Sequence, residues 1–523
     1  MPARAVLIGF PGMEASLIDR WTADGTMPTF AELERNGRSL HVSNRQDHLP
    51  DVLWPEIFTG RLGATVGWYR LPEQLFAGDT RPRPVRPEDV DFTALWDYTS
   101  EAGRTVASVD MPYAGCSPAM KGLLVRGWGT HDKPFGTTSE PDPAVFDALL
   151  ACFGAHPIGH SHAEHTRCDD QNDTADGYRW LREGLLRGAE TKGRLFRHVL
   201  DERDWDLFLG AFEEAHCAGH QFWHHLDETS PWHDPSAPDD VKDTMRDVHA
   251  RLDSALAHVL EGAGEDANVF VLASHGMQTA SGGWQLMDEF LVRLGYGSGN
   301  RAVGKLRSYL PAPVKSVIRR ALRGRTKSGL QKLAGSLPAP LESPETRAIA
   351  LMNSPCAAIR LNVKGRDPFG SVAPGAEFDS ILDDLEHELG ELREVRSGRP
   401  AVKKVTRARD VYGDRLHPNI PDLLVNFDGE LAPILSVTSP RTGTLAAPLR
   451  TRALPRSGDH TETSRLICVG PAVEPGPLIE TGDILDVAPT LLQLVDVRIP
   501  EQLDGEPLSL GAVARETLPE PSA

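Results

Sequence analysis

The chain has 523 residues, of which 40% are hydrophobic and 25% are charged, and both fractions are ordinary for a globular protein. They exclude a mainly disordered, collagen-like or coiled-coil chain. The formal net charge of −19 argues against broad nucleic-acid binding, which needs a basic face. It leaves anionic small molecules open as substrates, because a local metal site can override the global charge.

Short apolar runs alternate with amphipathic stretches along the chain. The first run, Ala5–Phe10, is followed by a helical pattern through Met27–Leu40, and later helical patterns cover Asp240–Glu261 and Phe378–Arg393. Further strands are predicted at Val106–Val109, Leu207–Phe212, Val269–Ala273, Ala358–Val363, Asp422–Phe427 and Leu466–Val469. This alternation predicts an α/β fold with a largely parallel sheet covered by helices on both faces.

Neither the N-terminus nor the cysteines indicate export. Residues 1–10 lack the apolar core and cleavage site of a signal peptide, and no run approaches the roughly 18 apolar residues of a membrane span. The six cysteines are scattered without a CxxC pair, which is typical of reduced thiols. We therefore expect a soluble cytoplasmic protein.

A basic segment interrupts the α/β pattern. Residues 301–332 contain ten Lys and Arg residues and no acid, with apolar residues interleaved. This pattern predicts an amphipathic insertion that contacts an anionic membrane or partner, or else a helical hairpin that caps the domain with a solvated basic face. The predicted organisation is one α/β domain formed by residues 1–295 and 345–510, an inserted lid or cap at 296–344, and a tail at 511–523.

Seven blocks along the chain resemble the alkaline phosphatase superfamily in its type I phosphodiesterase/nucleotide pyrophosphatase branch. They occur in the order of that family from Ala5 to about Leu510. The blocks are VLIGFPGMEASLIDRWTADGTMPTFAELERNG, LWPEIFTGRLGATVGWY, FEEAHCAGHQFWHHLD, VLASHGM, AIRLNVKGRDPFGSVAPGAEF, SGDHTETSRLICVGP and ILDVAPTLLQLVDVRIPEQLDGEPL. The resemblance implies an alkaline-phosphatase-like fold, with the site at the C-terminal ends of strands.

The resemblance also implies hydrolysis of phosphate, phosphodiester or sulfate esters by two metal ions and a Ser or Thr nucleophile. This chain departs from that pattern at one of the two metal sites. The opening Asp ligand falls on Pro11, the nucleophile falls on Pro50 and the Asp of the D-H-G motif falls on Ser274. Asp51, beside Pro50, is the candidate catalytic base or alternative nucleophile. We expect this metal site to be empty.

The other metal site keeps ligand-type residues. Its implied ligands fall on His216, His220 and His460, and His275 survives from the D-H-G motif as a possible fourth. On a helix, His216 and His220 lie on one face, although an isolated H-x-x-x-H pair can also be coincidental. His275 by itself can also be a hydrogen-bonded core histidine. Three imidazoles and an open position suit one divalent ion, most of all zinc, with iron, copper or nickel as alternatives.

Other histidines are expected to be incidental. A polar loop contains His156, His160, His162, His165 and Cys168 without a fixed ligand spacing, and a solvated surface loop is the favoured interpretation over a metal-binding loop. His224 and His225 continue the predicted helix and are expected to face solvent or the substrate cleft. Gly365, Arg366 and Pro368 match a segment that we interpret as structural.

Three functions remain open from the sequence. The first is a divergent metal-dependent hydrolase of an anionic ester, with one three-His metal site and direct attack by water. The second is a non-hydrolytic metalloenzyme on the same fold, such as a lyase, an isomerase or an oxygen-dependent iron enzyme. The third is a non-catalytic pseudoenzyme. For an enzyme, we expect an anionic small-molecule substrate.

Overall fold

The computed structural model describes residues 4–43, 52–71, 73–89, 91–117, 119–130, 133, 135–159, 174–297, 340–343, 345–353, 356–447 and 456–511. Its strands are β1 Arg4–Gly9, β2 Arg38–Ser43, β3 Glu73–Gln74, β4 Arg83–Pro84, β5 Val106–Val109, β6 Gly122–Arg126, β7 Thr138–Glu140, β8 Leu207–Ala211, β9 Ala267–Ala273, β10 Gly276–Thr279, β11 Ala348–Asn353, β12 Cys356–Leu361, β13 Arg393–Glu394, β14 Val402–Arg407, β15 Leu423–Phe427, β16 Ser436–Ser439, β17 Gly443–Ala446, β18 Gly458–Thr461, β19 Arg465–Val469 and β20 Gly476–Asp483. Its α-helices are α1 Ala15–Ala23, α2 Pro28–Asn36, α3 Leu53–Thr59, α4 Gly63–Val66, α5 Leu95–Glu101, α6 Ala144–Phe153, α7 Ala175–Glu202, α8 Glu214–Leu226, α9 Asp239–Lys242, α10 Thr244–Ala263, α11 Met287–Leu294, α12 Ala376–Gly390, α13 Ala408–Tyr412 and α14 Val487–Leu494.

The largest sheet has nine strands in the order β20-β2-β19-β9-β1-β8-β5-β6-β7. The neighbouring strands from β9 to β6 are parallel, and so are β2 and β20. Strand β19 runs antiparallel to both β9 and β2, and β7 runs antiparallel to β6. The sheet is therefore largely parallel, which confirms the predicted α/β architecture.

Both faces of this sheet are buried under helices. Along β1, Ala5 and Leu7 point into a core shared with α3, α5 and α14, whereas Val6 and Ile8 point into a core shared with α1, α2, α7, α8 and α10. A strand that is covered on both faces needs an uninterrupted apolar run, because neither side of it meets water. The sequence of β1 provides that run, so the first strand was recognisable from the sequence.

A second, separately hydrogen-bonded sheet is antiparallel, in the order β11-β12-β15-β14. It contains the predicted strands Ala358–Val363 and Asp422–Phe427, which therefore do not belong to the parallel sheet. The two residues between β11 and β12 permit only antiparallel pairing, since a parallel crossover needs a dozen residues or more. Arg366 lies beside this sheet and forms a bidentate ion pair with Asp422, which agrees with a structural role for its segment.

The helix predicted over Met27–Leu40 is too long. Helix α2 ends at Asn36, and β2 begins at Arg38 and pairs with both β19 and β20. A Cβ atom on Gly37 would lie 2.2 Å from the carbonyl oxygen of Cys468, so the chain needs glycine where it enters the sheet. The predicted helix extended past Gly37 because the sequence pattern carries no information about the strands that pair with β2.

Several predictions concern residues outside the described ranges. These are the basic segment 301–332, the tail from residue 512 onward, Pro50, Asp51, His160, His162, His165 and Cys168. Within the described ranges, no helix is long and apolar enough to cross a membrane. Cys116, Cys152 and Cys468, which lie in those ranges, are free thiols, as their scattered positions predicted.

Candidate metal centre

Three neighbouring parallel strands, β9, β1 and β8, end at the same edge of the large sheet. Ser274 and His275 directly follow β9, Pro11 follows β1 by two residues, and the loop after β8 leads into α8. The carboxyl edge of a parallel sheet is where α/β proteins commonly bind ligands. The residues that the family resemblance singled out therefore meet at this edge.

Helix α8 carries the H-x-x-x-H pair. It begins at Glu214, whose carboxylate lies in the first turn, where the helix dipole favours negative charge. His216 and His220 are separated by about one helical turn, and their ring centroids are 4.4 Å apart in an edge-to-face arrangement. The helix thus places both imidazoles on one face.

Close backbone approaches bring the other elements of the site to this helix. A Cβ atom on Gly219 would lie 2.7 Å from the Cγ atom of Met277 in β10, and one on Gly458 would lie 2.2 Å from the carbonyl oxygen of Gly219. Strands β10 and β18 are antiparallel, with Met277 paired to His460. Glycine at both positions therefore allows the β10–β18 ribbon to pack directly on α8, which carries His460 to the histidine pair.

Three imidazole nitrogens converge where these elements meet. The Nε2 atom of His216 is 3.0 Å from that of His460 and 3.1 Å from that of His220, and the Nε2 atoms of His220 and His460 are 3.2 Å apart. Zinc–nitrogen bonds of about 2.0–2.1 Å place two nitrogens on a tetrahedral zinc about 3.3 Å apart. The spacing and the donor chemistry fit a divalent ion held by three imidazoles.

The tautomer of His220 is determined by the backbone. Its Nδ1 atom lies 2.8 Å from the carbonyl oxygen of Gly458, which can only accept a hydrogen bond, so Nδ1 carries the proton. In the neutral ring Nε2 then keeps its lone pair, as a metal ligand must. A guanidinium nitrogen of Arg456, Nη1, lies 3.1 Å from this Nε2 atom and donates to it.

His275 lies against the same cluster. Its ring centroid is 4.5 Å from that of His460, and the ligand atoms of His216, His275 and His460 all lie within 4.8 Å of one another. Its Nδ1 atom is 3.0 Å from the hydroxyl oxygen of Ser274, while its buried Nε2 atom has no hydrogen-bond partner among the described residues. Burial, together with the nearby His460, holds the pKa of His275 well below 6.5, so the ring is neutral and able to bind a metal.

Two buried carboxylates at this edge were not singled out from the sequence. Glu14 accepts hydrogen bonds from the backbone N–H of Met277 and from the hydroxyls of Thr461 and Thr463, at 3.0, 3.1 and 2.8 Å. It therefore ties the start of α1 to the β10–β18 ribbon. Asp459 has a carboxylate oxygen within 4.8 Å of ligand nitrogens of His220 and His460. Their positions inside two of the family-like blocks were the only available signal.

The second metal site of the resemblance has no carboxylate at its expected positions within the described ranges. Pro11 is buried after β1 and has no donor atom, and Ser274 uses its hydroxyl with the ring of His275. Pro50 and the proposed base Asp51 lie outside the described residues. The described part of this site therefore contributes one strong ligand, His275.

His156 does not lie in a solvated loop, contrary to the prediction. Its ring is buried and its Nε2 atom is 3.1 Å from a carboxylate oxygen of Glu214. The same carboxylate is 3.7 Å from the fully buried ammonium group of Lys192, which is also 3.0 Å from the carboxylate of Asp110. Polar sequence around His156 suggested a surface, but this buried charge network explains its position.

The pKa values in this network follow from burial and from charge pairing. Burial acts to lower the pKa of Lys192, but the carboxylates of Glu214 and Asp110 outweigh it and raise the pKa above its ordinary value. Burial acts to raise the pKa of Glu214, but Lys192 and His156 lower it. Both charges therefore persist in the interior beside the first turn of α8.

His224 and His225 do not face solvent or a cleft either. Both are buried, and Nδ1 of His224 is 2.9 Å from the hydroxyl oxygen of Ser457, while its Nε2 atom is 3.3 Å from the hydroxyl of Tyr178. Burial lowers the pKa of His224 to about 3 and that of His225 to about 4. They pack α8 against α7 and stay neutral, which the helical pattern did not reveal because the partners are distant in sequence.

Comparison with known proteins agrees with the family-like blocks. A family model described as type I phosphodiesterase / nucleotide pyrophosphatase matches residues 74–444, more than two thirds of the chain. A comparison with curated proteins gave no match.

Two solved structures are similar to the chain. Wild-type alkaline phosphatase PafA is 14% identical with a TM-score of 0.51, and the match covers 97% of this chain and 98% of PafA. Murine ectonucleotide pyrophosphatase/phosphodiesterase 5 is 12% identical with a TM-score of 0.47, and the match covers 96% and 97% of the two chains. The likeness to PafA confirms the alkaline-phosphatase-like fold.

Proposed function

The chain belongs to the type I phosphodiesterase/nucleotide pyrophosphatase family, and from that premise we propose that it is a metal-dependent hydrolase of a phosphate, phosphodiester or sulfate ester. One divalent ion, zinc in the first instance, is held by His216, His220 and His460. The observation that carries this proposal is the convergence of their three Nε2 atoms at 3.0–3.2 Å. A fourth imidazole, that of His275, is available beside them.

The charges of these residues suit one divalent ion better than two. The family resemblance places carboxylate ligands where this chain has Pro11, Ser274 and His216. Replacing three carboxylates removes three negative charges, and losing one of two divalent ions removes two positive charges. The centre with one ion and neutral imidazoles is therefore at least as attractive to an anionic ester as the two-metal arrangement.

The residues of the chain position this chemistry. When bound, a divalent ion polarises an ester oxygen and activates water near neutral pH. The carbonyl of Gly458 fixes the His220 tautomer, and the hydroxyl of Ser274 holds the ring of His275. Such outer contacts orient the ligands and raise their basicity.

The proposed reaction is direct attack by water. Pro50 stands where the family nucleophile would be and has no hydroxyl, so no covalent intermediate is expected at that position. Asp51 remains the proposed base on the strength of its sequence position beside Pro50. Full turnover in an Asp51→Asn variant would contradict the assignment of Asp51 as the base. The assignment of the metal ligands would not be changed by that result.

The proposal is tested by metal analysis followed by assays with aryl phosphate, phosphodiester and sulfate esters. We expect about one ion per chain after metal supplementation and turnover of at least one ester class. His216→Ala should lose most of the metal, and its turnover should fall more than the 10–100-fold typical of outer-shell variants. A chain that takes up no metal would favour a non-catalytic relative.

A non-hydrolytic metalloenzyme is the second candidate, and the buried Nε2 atom of His275 favours it. Four neutral imidazoles suit iron or copper as well as zinc. An oxygen-sensitive, iron-loaded centre with no activity on any ester would select this alternative. Full zinc loading with ester turnover would exclude it.

A further inference from the structure

Arg456 lies directly against the histidine cluster. Its Nη1 atom is 3.1 Å from the Nε2 atom of His220, and this nitrogen is one of the three that converge. Arginine has donors only and stays charged at all physiological pH values. Its planar guanidinium is the side chain best suited to bind two oxygens of a phosphate or carboxylate at once.

The contact cannot persist when a metal ion is bound by His220. Because Nδ1 of this ring donates to the carbonyl of Gly458, Nε2 has one lone pair in the ring plane. That lone pair serves either the guanidinium or a metal ion. The guanidinium must therefore turn away from His220 while remaining anchored next to Ser457, which packs against α8 through its bonds to His220 and His224.

A guanidinium beside a metal dication is repelled unless an anion lies between them, and the low dielectric of a partly buried site strengthens this repulsion. We propose that Arg456 is the anion-binding residue of this site, with its guanidinium bound to the non-bridging oxygens of a tetrahedral oxyanion ester that also contacts the metal centre. This inference rests on the proposed function and specifies its substrate. The ester must present at least two non-bridging oxygens, so that it can contact both cations.

The assignment also explains how an acidic chain can favour such a ligand. The net charge is −19, so the long-range field does not attract anions. With a divalent ion bound by the neutral imidazoles, the ion and the guanidinium would make the site locally positive, and the carboxylate of Asp459 would offset only part of that charge. Selection of the anion then depends on short-range hydrogen bonds, which arginine provides in bidentate form.

The test uses the full-length chain, zinc-loaded and then freed of excess metal, with inorganic phosphate as the probe. Zinc content is measured first for the wild type and for the Arg456→Gln, Arg456→Lys and Arg498→Gln variants. Phosphate affinity is then measured by calorimetry. Arg498 has an 88% exposed side chain and provides the matched control.

We expect every variant to retain its zinc, and Arg456→Gln to bind phosphate about 10–100-fold more weakly, the usual loss for hydrogen bonds to a charged group. The phosphate affinity of Arg456→Lys should lie between those of this variant and the wild type, because lysine keeps the positive charge but lacks the paired N–H donors of the guanidinium. Equal phosphate affinity for wild type and Arg456→Gln, both zinc-loaded, would overturn the role of Arg456 alone. A wild-type chain that binds no metal would overturn both this role and the proposed function.

Discussion

Gly458 and Gly219 approach so closely that no side chain fits between them: a Cβ atom on Gly458 would lie 2.2 Å from the carbonyl oxygen of Gly219. This contact joins β18 to α8 and brings His460 to the face of the helix that carries His216 and His220. The carbonyl of Gly458 also accepts the hydrogen bond from His220. Residue 458 therefore contributes to the site twice: its lack of a side chain permits the close approach, and its carbonyl sets the tautomer of His220.

Gly458→Ala should weaken both metal binding and the fold. The added methyl group must push β18 away from α8, and overpacking of this kind costs about 1–3 kcal/mol in the free energy of unfolding. Displacement of the histidines should lower zinc affinity by at least tenfold, as measured by competition with a chromophoric chelator. Gly390→Ala is the control, because no atom lies within 4 Å of its added Cβ. Unchanged zinc affinity in Gly458→Ala would contradict the role of this contact.

Replacing the histidine ligands should distinguish the loss of a metal ligand from a distortion of the site. His216→Ala and His460→Ala should each lose most of the bound metal, because each removes one of three converging nitrogens. His216→Asp should retain metal, since aspartate is also a ligand and is the residue that the family resemblance implies there. Elemental analysis of the purified proteins measures the outcome. His198→Ala, at a half-exposed position on α7, is the control, and metal retained in both alanine variants would disprove the assignment.

Removing one charged side chain from the buried charge network should strongly lower the free energy of unfolding. In Lys192→Met the carboxylates of Asp110 and Glu214 lose their buried cation, and removal of one partner from a buried ion pair costs about 3–5 kcal/mol. Urea unfolding followed by circular dichroism measures the change. Lys242→Met removes an ammonium group whose carboxylate partner Asp239 is exposed, and this control should change stability by less than about 1 kcal/mol.

His249 should make the protein less stable in mild acid. Burial lowers its pKa to about 4, whereas the unfolded chain titrates near 6.5, so the unfolded state binds more protons between these values. The contribution of neutral His249 to the free energy of unfolding should be fully present above pH 6.5 and should fall as the pH drops toward 4. The loss between pH 6.5 and pH 5 should be up to about 2 kcal/mol. Urea unfolding at both pH values tests this.

His249→Gln should show a smaller loss of stability between those pH values, because glutamine does not titrate. His258→Gln, at an exposed position on the same helix α10, is the control and should keep the wild-type pH dependence. An identical pH dependence in His249→Gln and wild type would contradict the contribution of this residue.

Much of the candidate site could be identified from the sequence because the family-like blocks carry its residues in order. His216, His220, His275 and His460 were all selected that way, and the structure brings them together. Glu14 and Asp459 were missed because their importance lies in contacts, to Met277 and to the histidines, that link segments hundreds of residues apart. The same limit explains the error on His156, whose polar surroundings in sequence suggested exposure, and the error on His224, whose burial depends on partners distant in sequence.

The sequence by itself determined the local properties of this protein: the apolar run of β1, the helical spacing of His216 and His220, and the absence of a hydroxyl at Pro50. Each of these depends on one residue or on neighbours along the chain. Only the tertiary structure decided that β12 and β15 leave the parallel sheet, that His156 is buried on Glu214, and that Arg456 faces His220. These depend on which distant elements pack together, because burial, pairing and the separation of charges are properties of the folded chain.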